Sequence, residues 1–106
     1  MDNFTLKDLE KIIEKRKNSS SEKSYTASLL NSPVEKTLKK IGEESAELIF
    51  AATQKNKKKL IHEFADLIYH LLVLSKISNI SLDEITEELF LRTKSSGLVE
   101  KENRKK

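Results

Sequence analysis

The sequence predicts an all-α protein that folds as one domain. Glycine occurs twice and proline once in 106 residues, whereas turn-rich β folds need more of both. Apolar residues recur every three or four positions through four segments, and no segment of five or more residues alternates convincingly as a strand. We expect a bundle of four main helices within residues 1–106, with residues 98–106 as an extended or mobile tail.

The first helix is expected to begin after Thr5 and to end near Lys17. The Thr5 side chain can accept a hydrogen bond from the first helical turn. The polar stretch NSSSEKS that follows is typical of a loop. The next segment, SYTASLLN, is ambiguous and is compatible with one or two helical turns.

The second helix is expected over about residues 32–54 and the third over about residues 56–77. Ser32 would cap the second helix, and Pro33 would take its first position. Glu35 would complete a capping box with Ser32.

The third helix is apolar on most of its sides. Its broad apolar face, which we expect in the core, comprises Ile61, Phe64, Ala65, Ile68, Leu71 and Leu72. Glu63, Asp66 and His70 form a stripe on the opposite side. A helix that is apolar almost all round is buried on most sides, so we expect homo-oligomerisation, most simply a dimer, to complete the bundle.

The fourth helix is expected to open at Ser81, where Glu84 completes another capping box. It should end near Thr93, before the sequence Ser-Ser-Gly.

Acidic residues interrupt the apolar pattern of the second and third helices: Glu43, Glu44, Glu47, Glu63 and Asp66. Carboxylates among apolar side chains are costly unless a cation compensates them. Antiparallel packing of the two helices would bring these groups together. Hard oxygen ligands favour Mg²⁺, with Mn²⁺ as a substitute, and such ions usually act on phosphates. The alternative is an ordinary solvated face on a lysine-rich helix.

The charge pattern and composition give no support for a nucleic-acid or membrane partner. The net charge is +3, but acidic and basic residues are interleaved rather than gathered on one face. The absence of cysteine excludes disulfides and thiolate zinc sites. The start of the chain lacks a signal-peptide core, and LIYHLLVL is too short to span a bilayer. We therefore expect a cytoplasmic protein.

The acidic pattern, EExxE over residues 43–47 and ExxD over residues 63–66, resembles the signature of the all-α nucleotide pyrophosphohydrolases, the MazG-like superfamily. Other segments resemble the phosphoribosyl-ATP pyrophosphohydrolase family of histidine biosynthesis: SYTASLL, KIGEESAE, EFADLIYHLLVL and RTKSSGLVEK. The resemblance covers about residues 4–104. SYTASLL and ADLIYH are specific to the family, whereas the acidic pattern marks only the superfamily.

The resemblance implies a small nucleotide substrate, 1-(5-phosphoribosyl)-ATP, hydrolysed to the AMP form and pyrophosphate in the second step of histidine biosynthesis. It implies that four carboxylates hold one or two Mg²⁺ ions: Glu44, Glu47, Glu63 and Asp66. Water would attack the α–β phosphoanhydride, and Glu43 is the candidate base that takes its proton. Ser45 departs from the commoner alanine of the family but touches no proposed ligand.

Further side chains are candidates for contact with the substrate: Arg16, Lys17, Ser24, Tyr25, Ser28, Lys40 and Arg92. Lys40 would contact a phosphate or remain solvated, and Tyr25 would line the pocket or anchor the core. Arg16 and Lys17, at the end of the first helix, would contact a substrate phosphate or stabilise the helix C-terminus by their positive charge. We expect His70 in a structural role and His62 at the surface.

Two other functions remain open from the sequence. One is a pyrophosphohydrolase of the same superfamily that removes dUTP or damaged nucleotides, which a substrate panel distinguishes. The other is a non-enzymatic helical interaction module, whose stability would not respond to Mg²⁺.

Overall fold

The computed structural model describes residues 2–94, which form five α-helices joined by short turns. The helices are α1 Leu6–Arg16, α2 Tyr25–Leu30, α3 Val34–Thr53, α4 Lys57–Ile77 and α5 Leu82–Arg92. These residues contain no strand, so the predicted all-α class is confirmed, and the ambiguous segment is the short helix α2. Within residues 2–94 no helix is long and apolar enough to cross a membrane. The tail predicted for residues 98–106 lies outside the described residues.

Two predicted helix starts are formed by local capping. At α1 the Thr5 hydroxyl accepts from the Asp8 backbone N–H at 3.3 Å, and the Asp8 carboxylate accepts from the Thr5 backbone N–H at 2.9 Å. At α5 Ser81 and Glu84 make the same reciprocal pair at 3.1 and 2.9 Å. Each pair satisfies two N–H groups that have no partner inside the helix.

The predicted capping box at the start of α3 is wrong. Pro33 occupies the cap position, and within the described chain no side chain caps α3. The Ser32 hydroxyl instead donates to the Ser28 carbonyl oxygen of α2 at 2.6 Å. Because α2 ends only a few residues earlier, its unpaired carbonyl competes for the hydroxyl that was expected to cap α3.

The centre of the fold is the hairpin of α3 and α4, which make the largest helix–helix contact in the described chain. Lys55 adopts a left-handed conformation, with φ 55°, in the short link that reverses the chain. The α1 and α2 helices pack on α4, and α1 also contacts α5. The buried core comprises Ile13, Leu29, Leu72 and Val73. The core therefore lies at the C-terminal half of α4. The half of the hairpin that carries the acidic residues contributes none of these four core side chains, so it is available for a binding site.

Large apolar side chains remain exposed on the outer sides of the hairpin. On α3 these include Ile49 and Phe50. On α4, Ile61, Phe64 and Leu71 are exposed, so their predicted place in the core is wrong for the single chain. The α1 and α2 helices pack on α4, and the Tyr25 hydroxyl of α2 meets the buried His70 there.

Candidate metal centre

Glu44 of α3 and Glu63 of α4 are buried carboxylates. They are only 6% and 7% exposed, and the Oε2 atom of each has no hydrogen-bond partner in the described part of the chain. A buried carboxylate oxygen without a partner is costly, because it has lost water and gained nothing in return. A bound cation would compensate both oxygens at once.

Glu47 joins these two residues in one cluster. One carboxylate oxygen from each of Glu44, Glu47 and Glu63 lies within 4.8 Å of the others. Glu44 and Glu47 are three residues apart on α3, so the helix presents both on the side that faces α4. The hairpin thus brings together three of the four ligands that the sequence predicts.

Asp66 belongs to a second, overlapping cluster. Its carboxylate, that of Glu63 and a ring nitrogen of His62 also lie within 4.8 Å of one another. The Nε2 atom of His62 is 3.2 Å from Oδ2 of Asp66. His62 is exposed, as the sequence predicts, but its closeness to Asp66 was missed. The four-residue spacing between them was the available signal, because it puts both side chains on one side of a helix.

The electrostatics of the cluster favour a cation. Burial raises the pKa of Glu63 above its usual range, and the negative charges of Glu47 and Asp66 raise it further. A divalent cation opposes all these effects by favouring the ionised carboxylate. The all-carboxylate set of Glu44, Glu47 and Glu63 is therefore suited to a hard ion such as Mg²⁺.

Lys40 and Glu43 stand at the edge of the cluster. The Lys40 ammonium is 3.7 Å from Oε1 of Glu44 and 3.9 Å from Oε2 of Glu43. The pKa of Lys40 is raised, first by the nearby Tyr25 hydroxyl and then by the two carboxylates. Glu43 is exposed and lies in neither ligand cluster. These positions leave Lys40 and Glu43 accessible to a ligand bound at the carboxylates.

A hydrogen-bonded chain connects α2 to α4. His70 is buried, and its Nδ1 lies 2.8 Å from the Asp66 carbonyl oxygen, which can only accept. Nδ1 therefore carries a hydrogen, and in the neutral ring Nε2 accepts from the Tyr25 hydroxyl at 3.0 Å. Burial raises the pKa of Tyr25, which keeps this donor protonated. Tyr25 is nonetheless 49% exposed, so it does not serve as a buried core anchor in the single chain.

Three further candidate substrate residues have local partners: Ser24, Ser28 and Arg92. Ser24 is buried, and its hydroxyl caps α2 by accepting from the Ala27 backbone N–H at 3.1 Å. The Ser28 hydroxyl accepts from the Lys36 ammonium at 2.9 Å. Arg92 pairs with Glu88 of the same helix at 3.1 Å.

Arg16 and Lys17 are exposed at the C-terminus of α1. Lys17 lines a cavity of about 200 Å³ with Leu30, Asn31 and other residues of the helix ends. Positive charge at a helix C-terminus is favourable in itself, so both residues have a local role whether or not they meet a substrate.

A cavity of about 310 Å³ adjoins the carboxylates. It is lined by Glu47 and Glu63 together with Ala46, Phe50 and Lys59. The Lys59 ammonium lies over the Phe50 ring, 5.8 Å from its centroid. The centre therefore combines buried anions, cations at its edge and an open space beside them, an arrangement suited to a metal-bound phosphate.

Comparison with known proteins identifies the family. A family model described as phosphoribosyl-ATP pyrophosphohydrolase matches residues 6–93. A phosphoribosyl-ATP pyrophosphatase of Allorhizobium ampelinum is 46% identical over 104 residues, which cover 98% of this chain and 100% of the relative. Proteins of the same name from Rhizobium etli and Vesicomyosocius okutanii are 45% and 47% identical, covering 98% of this chain and 97% and 98% of their own lengths. The resemblance noted in the sequence is confirmed, and the chain belongs to the phosphoribosyl-ATP pyrophosphohydrolase family.

Proposed function

We propose that the chain hydrolyses 1-(5-phosphoribosyl)-ATP to 1-(5-phosphoribosyl)-AMP and pyrophosphate, the second step of histidine biosynthesis. The proposal is supported by the family match and by the names of the relatives. The single observation that carries the chemistry is the pair of buried oxygens on Glu44 and Glu63 that have no partner within residues 2–94. A biosynthetic enzyme acting on an ATP derivative fits a cytoplasmic location, which is part of the proposal.

The cofactor in this proposal is Mg²⁺, with Mn²⁺ as a substitute. The residues that would hold it are Glu44, Glu47, Glu63 and Asp66. Once bound, the ion would supply positive charge to phosphate oxygens and to the pyrophosphate leaving group. The buried oxygens of Glu44 and Glu63, which lack a partner among the described residues, support this donor set.

Glu43 is the proposed base. It is an exposed carboxylate next to the buried cluster, so it can meet both water and substrate. In the reaction, a water oxygen bonds to the α-phosphorus, Glu43 takes a proton from that water, and the bond from the α-phosphorus to the bridging oxygen breaks. The bridging oxygen departs with pyrophosphate.

Lys40 is the proposed phosphate contact, because its ammonium already lies within 4 Å of two acidic side chains at the edge of the centre. Tyr25 is proposed to contact the substrate from α2. Ser24, Ser28, Arg16, Lys17 and Arg92 complete the set of proposed substrate residues. The local partners of Ser24, Ser28 and Arg92 in the single chain would have to be exchanged for substrate groups.

We also propose that the chain acts as a homodimer or a higher homo-oligomer. Ile49, Phe50, Ile61 and Phe64 are each at least half exposed on the α3–α4 hairpin. An apolar surface of this kind is typical of an interface between subunits. A second copy would complete the helical bundle by covering this surface.

The decisive experiment measures pyrophosphate release from phosphoribosyl-ATP and from dUTP, each with Mg²⁺ and with EDTA. We expect pyrophosphate release from phosphoribosyl-ATP with Mg²⁺ and none with EDTA. Release from dUTP without release from phosphoribosyl-ATP would replace the proposal with a nucleotide-cleaning function. Undiminished turnover in EDTA would overturn the metal assignment.

A further inference from the structure

His62 stands beside the proposed metal centre without being part of its carboxylate set. Its imidazole is 70% exposed, and its Nε2 lies 3.2 Å from Oδ2 of Asp66. The two residues are four positions apart on α4, where a helix presents both side chains in the same direction. An imidazole and a carboxylate arranged in this way can both bind one metal ion.

Glu63 supplies the observation that points to a ligand. Its carboxylate is within reach of both His62 and Asp66, and its Oε2 has no partner among the described residues although the side chain is 93% buried (7% exposed). An ordinary ion pair between His62 and Asp66 would be weak at this exposure and would leave the Glu63 oxygen uncompensated. A cation among the three residues would compensate it.

We infer that His62, Glu63 and Asp66 form a second cation site, which takes a divalent transition metal such as Mn²⁺ or Zn²⁺. This site shares Glu63 and Asp66 with the four proposed carboxylate ligands. The inference deepens the proposed metal centre and rests on that proposal. The first cluster offers only oxygen, the preferred ligand of Mg²⁺. The second adds an imidazole nitrogen, which suits transition metals.

The geometry requires only small side-chain movements. Donors at about 2.1 Å from one ion lie at most about 4.2 Å apart. The three donor atoms already lie within 4.8 Å of one another. His62 is exposed, so its ring is free to rotate towards the ion.

The other histidine of the chain does not compete for this role. His70 is buried, and its ring nitrogens are engaged by the Asp66 carbonyl oxygen and the Tyr25 hydroxyl. Because the sequence has two histidines, an imidazole signal from a bound metal can be assigned to His62.

The test is pulsed electron paramagnetic resonance of the full chain loaded with Mn²⁺, which detects nitrogen-14 bound to the ion independently of turnover. We expect the modulation of a coordinated imidazole in the wild type and its loss in His62→Gln. Labelling histidine with nitrogen-15 should change the signal in the wild type. Lys58→Gln, an exposed change one turn earlier on α4, is the matched control and should retain it.

Binding measurements provide a second readout. His62→Gln should weaken Zn²⁺ binding by about tenfold or more and change Mg²⁺ binding by less than about twofold. Absence of nitrogen modulation in the wild type, or its persistence in His62→Gln, overturns the inference. Mn²⁺ bound through oxygen alone would overturn the second site and remain consistent with the proposed carboxylate centre. No Mn²⁺ binding at all would overturn both the second site and the carboxylate centre.

Discussion

The Tyr25 hydroxyl lies 3.0 Å from Nε2 of His70 and ties the short helix α2 to α4 beside the acidic cluster. Removing the hydroxyl in Tyr25→Phe leaves a buried nitrogen without its partner. We expect the free energy of unfolding to fall by about 1 kcal/mol, measured by urea denaturation. A double-mutant cycle with His70→Asn should give a coupling energy of about 0.5–1.5 kcal/mol. Additive effects of the two changes would contradict the assigned hydrogen bond.

Glu63 should make the metal-free protein less stable as the pH rises. Its pKa is raised in the folded state, so the folded protein holds this proton more tightly than the unfolded chain does. The resulting stabilisation is complete below the ordinary pKa of about 4.5 and is lost as the pH rises through the folded value.

In EDTA, Glu63→Gln should therefore raise the melting temperature at pH 7.5 by more than it does at about pH 4. Thermal unfolding at the two pH values measures the difference. Equal shifts of the melting temperature at both pH values would show that ionisation of Glu63 does not destabilise the folded state.

Glu47→Gln should weaken Mg²⁺ binding, because it retains the shape of the side chain and removes one ligand charge. We expect a loss of about tenfold or more in Mg²⁺ affinity, and a similar loss of turnover at limiting Mg²⁺. Thermal unfolding over a Mg²⁺ titration measures the affinity through linkage. Glu35→Gln, an exposed change in the first turn of α3, is the control. Wild-type Mg²⁺ dependence in Glu47→Gln would remove this residue from the ligand set.

Ser81→Ala should destabilise the protein more than Ser32→Ala. Ser81 caps α5 and satisfies the Glu84 backbone N–H, so its loss should cost about 1 kcal/mol. The Ser32 hydroxyl donates to a carbonyl oxygen and, in the part of the chain that the structure describes, caps no N–H group of α3. Urea denaturation of both variants gives the comparison, and a larger loss for Ser32→Ala would contradict the cap assignment.

Phe64→Glu should disrupt the proposed oligomer without unfolding the subunit. The side chain is 50% exposed in the single chain, so the substitution removes little of the internal core. Light scattering during size exclusion should give the mass of at least two chains for the wild type and one for the variant. Lys58→Glu controls for the added charge on α4. A monomeric wild type, or an unchanged mass for Phe64→Glu, would contradict an interface at this surface.

The predictions of helix starts were correct where the contacts that determine the start are local. The caps at Thr5 and Ser81 each use a residue three positions away, so the sequence contains both partners. The cap predicted at Ser32 was wrong because the partner of its hydroxyl is a carbonyl oxygen at the end of another helix. The Ser28 carbonyl oxygen competes with the N–H groups of α3 for Ser32. That competition depends on where α2 ends, which could not be predicted from the ambiguous segment SYTASLLN.

The acidic cluster was predictable because helical spacing determines which carboxylates share a side. Spacing does not determine which side of α4 the rest of the chain covers, since α4 is apolar on most sides. Phe64 was therefore expected in the core, whereas α1 and α2 cover the side that carries His70. The closeness of His62 to Asp66 was missed although their four-residue spacing on α4 was a signal for it, because an exposed histidine gains significance only from the carboxylates next to it.

The α3–α4 hairpin also has a consequence for the order of folding. The proposed ligands all lie within residues 44–66, so closing this part of the chain costs little loop entropy. By contrast, the contact between Lys7 and Asp83 joins positions 76 residues apart. A cation can thus stabilise the hairpin before the chain ends meet, and we expect refolding to accelerate when Mg²⁺ is present from the start. The ion proposed to serve the chemistry would then also favour the earliest structure of the chain.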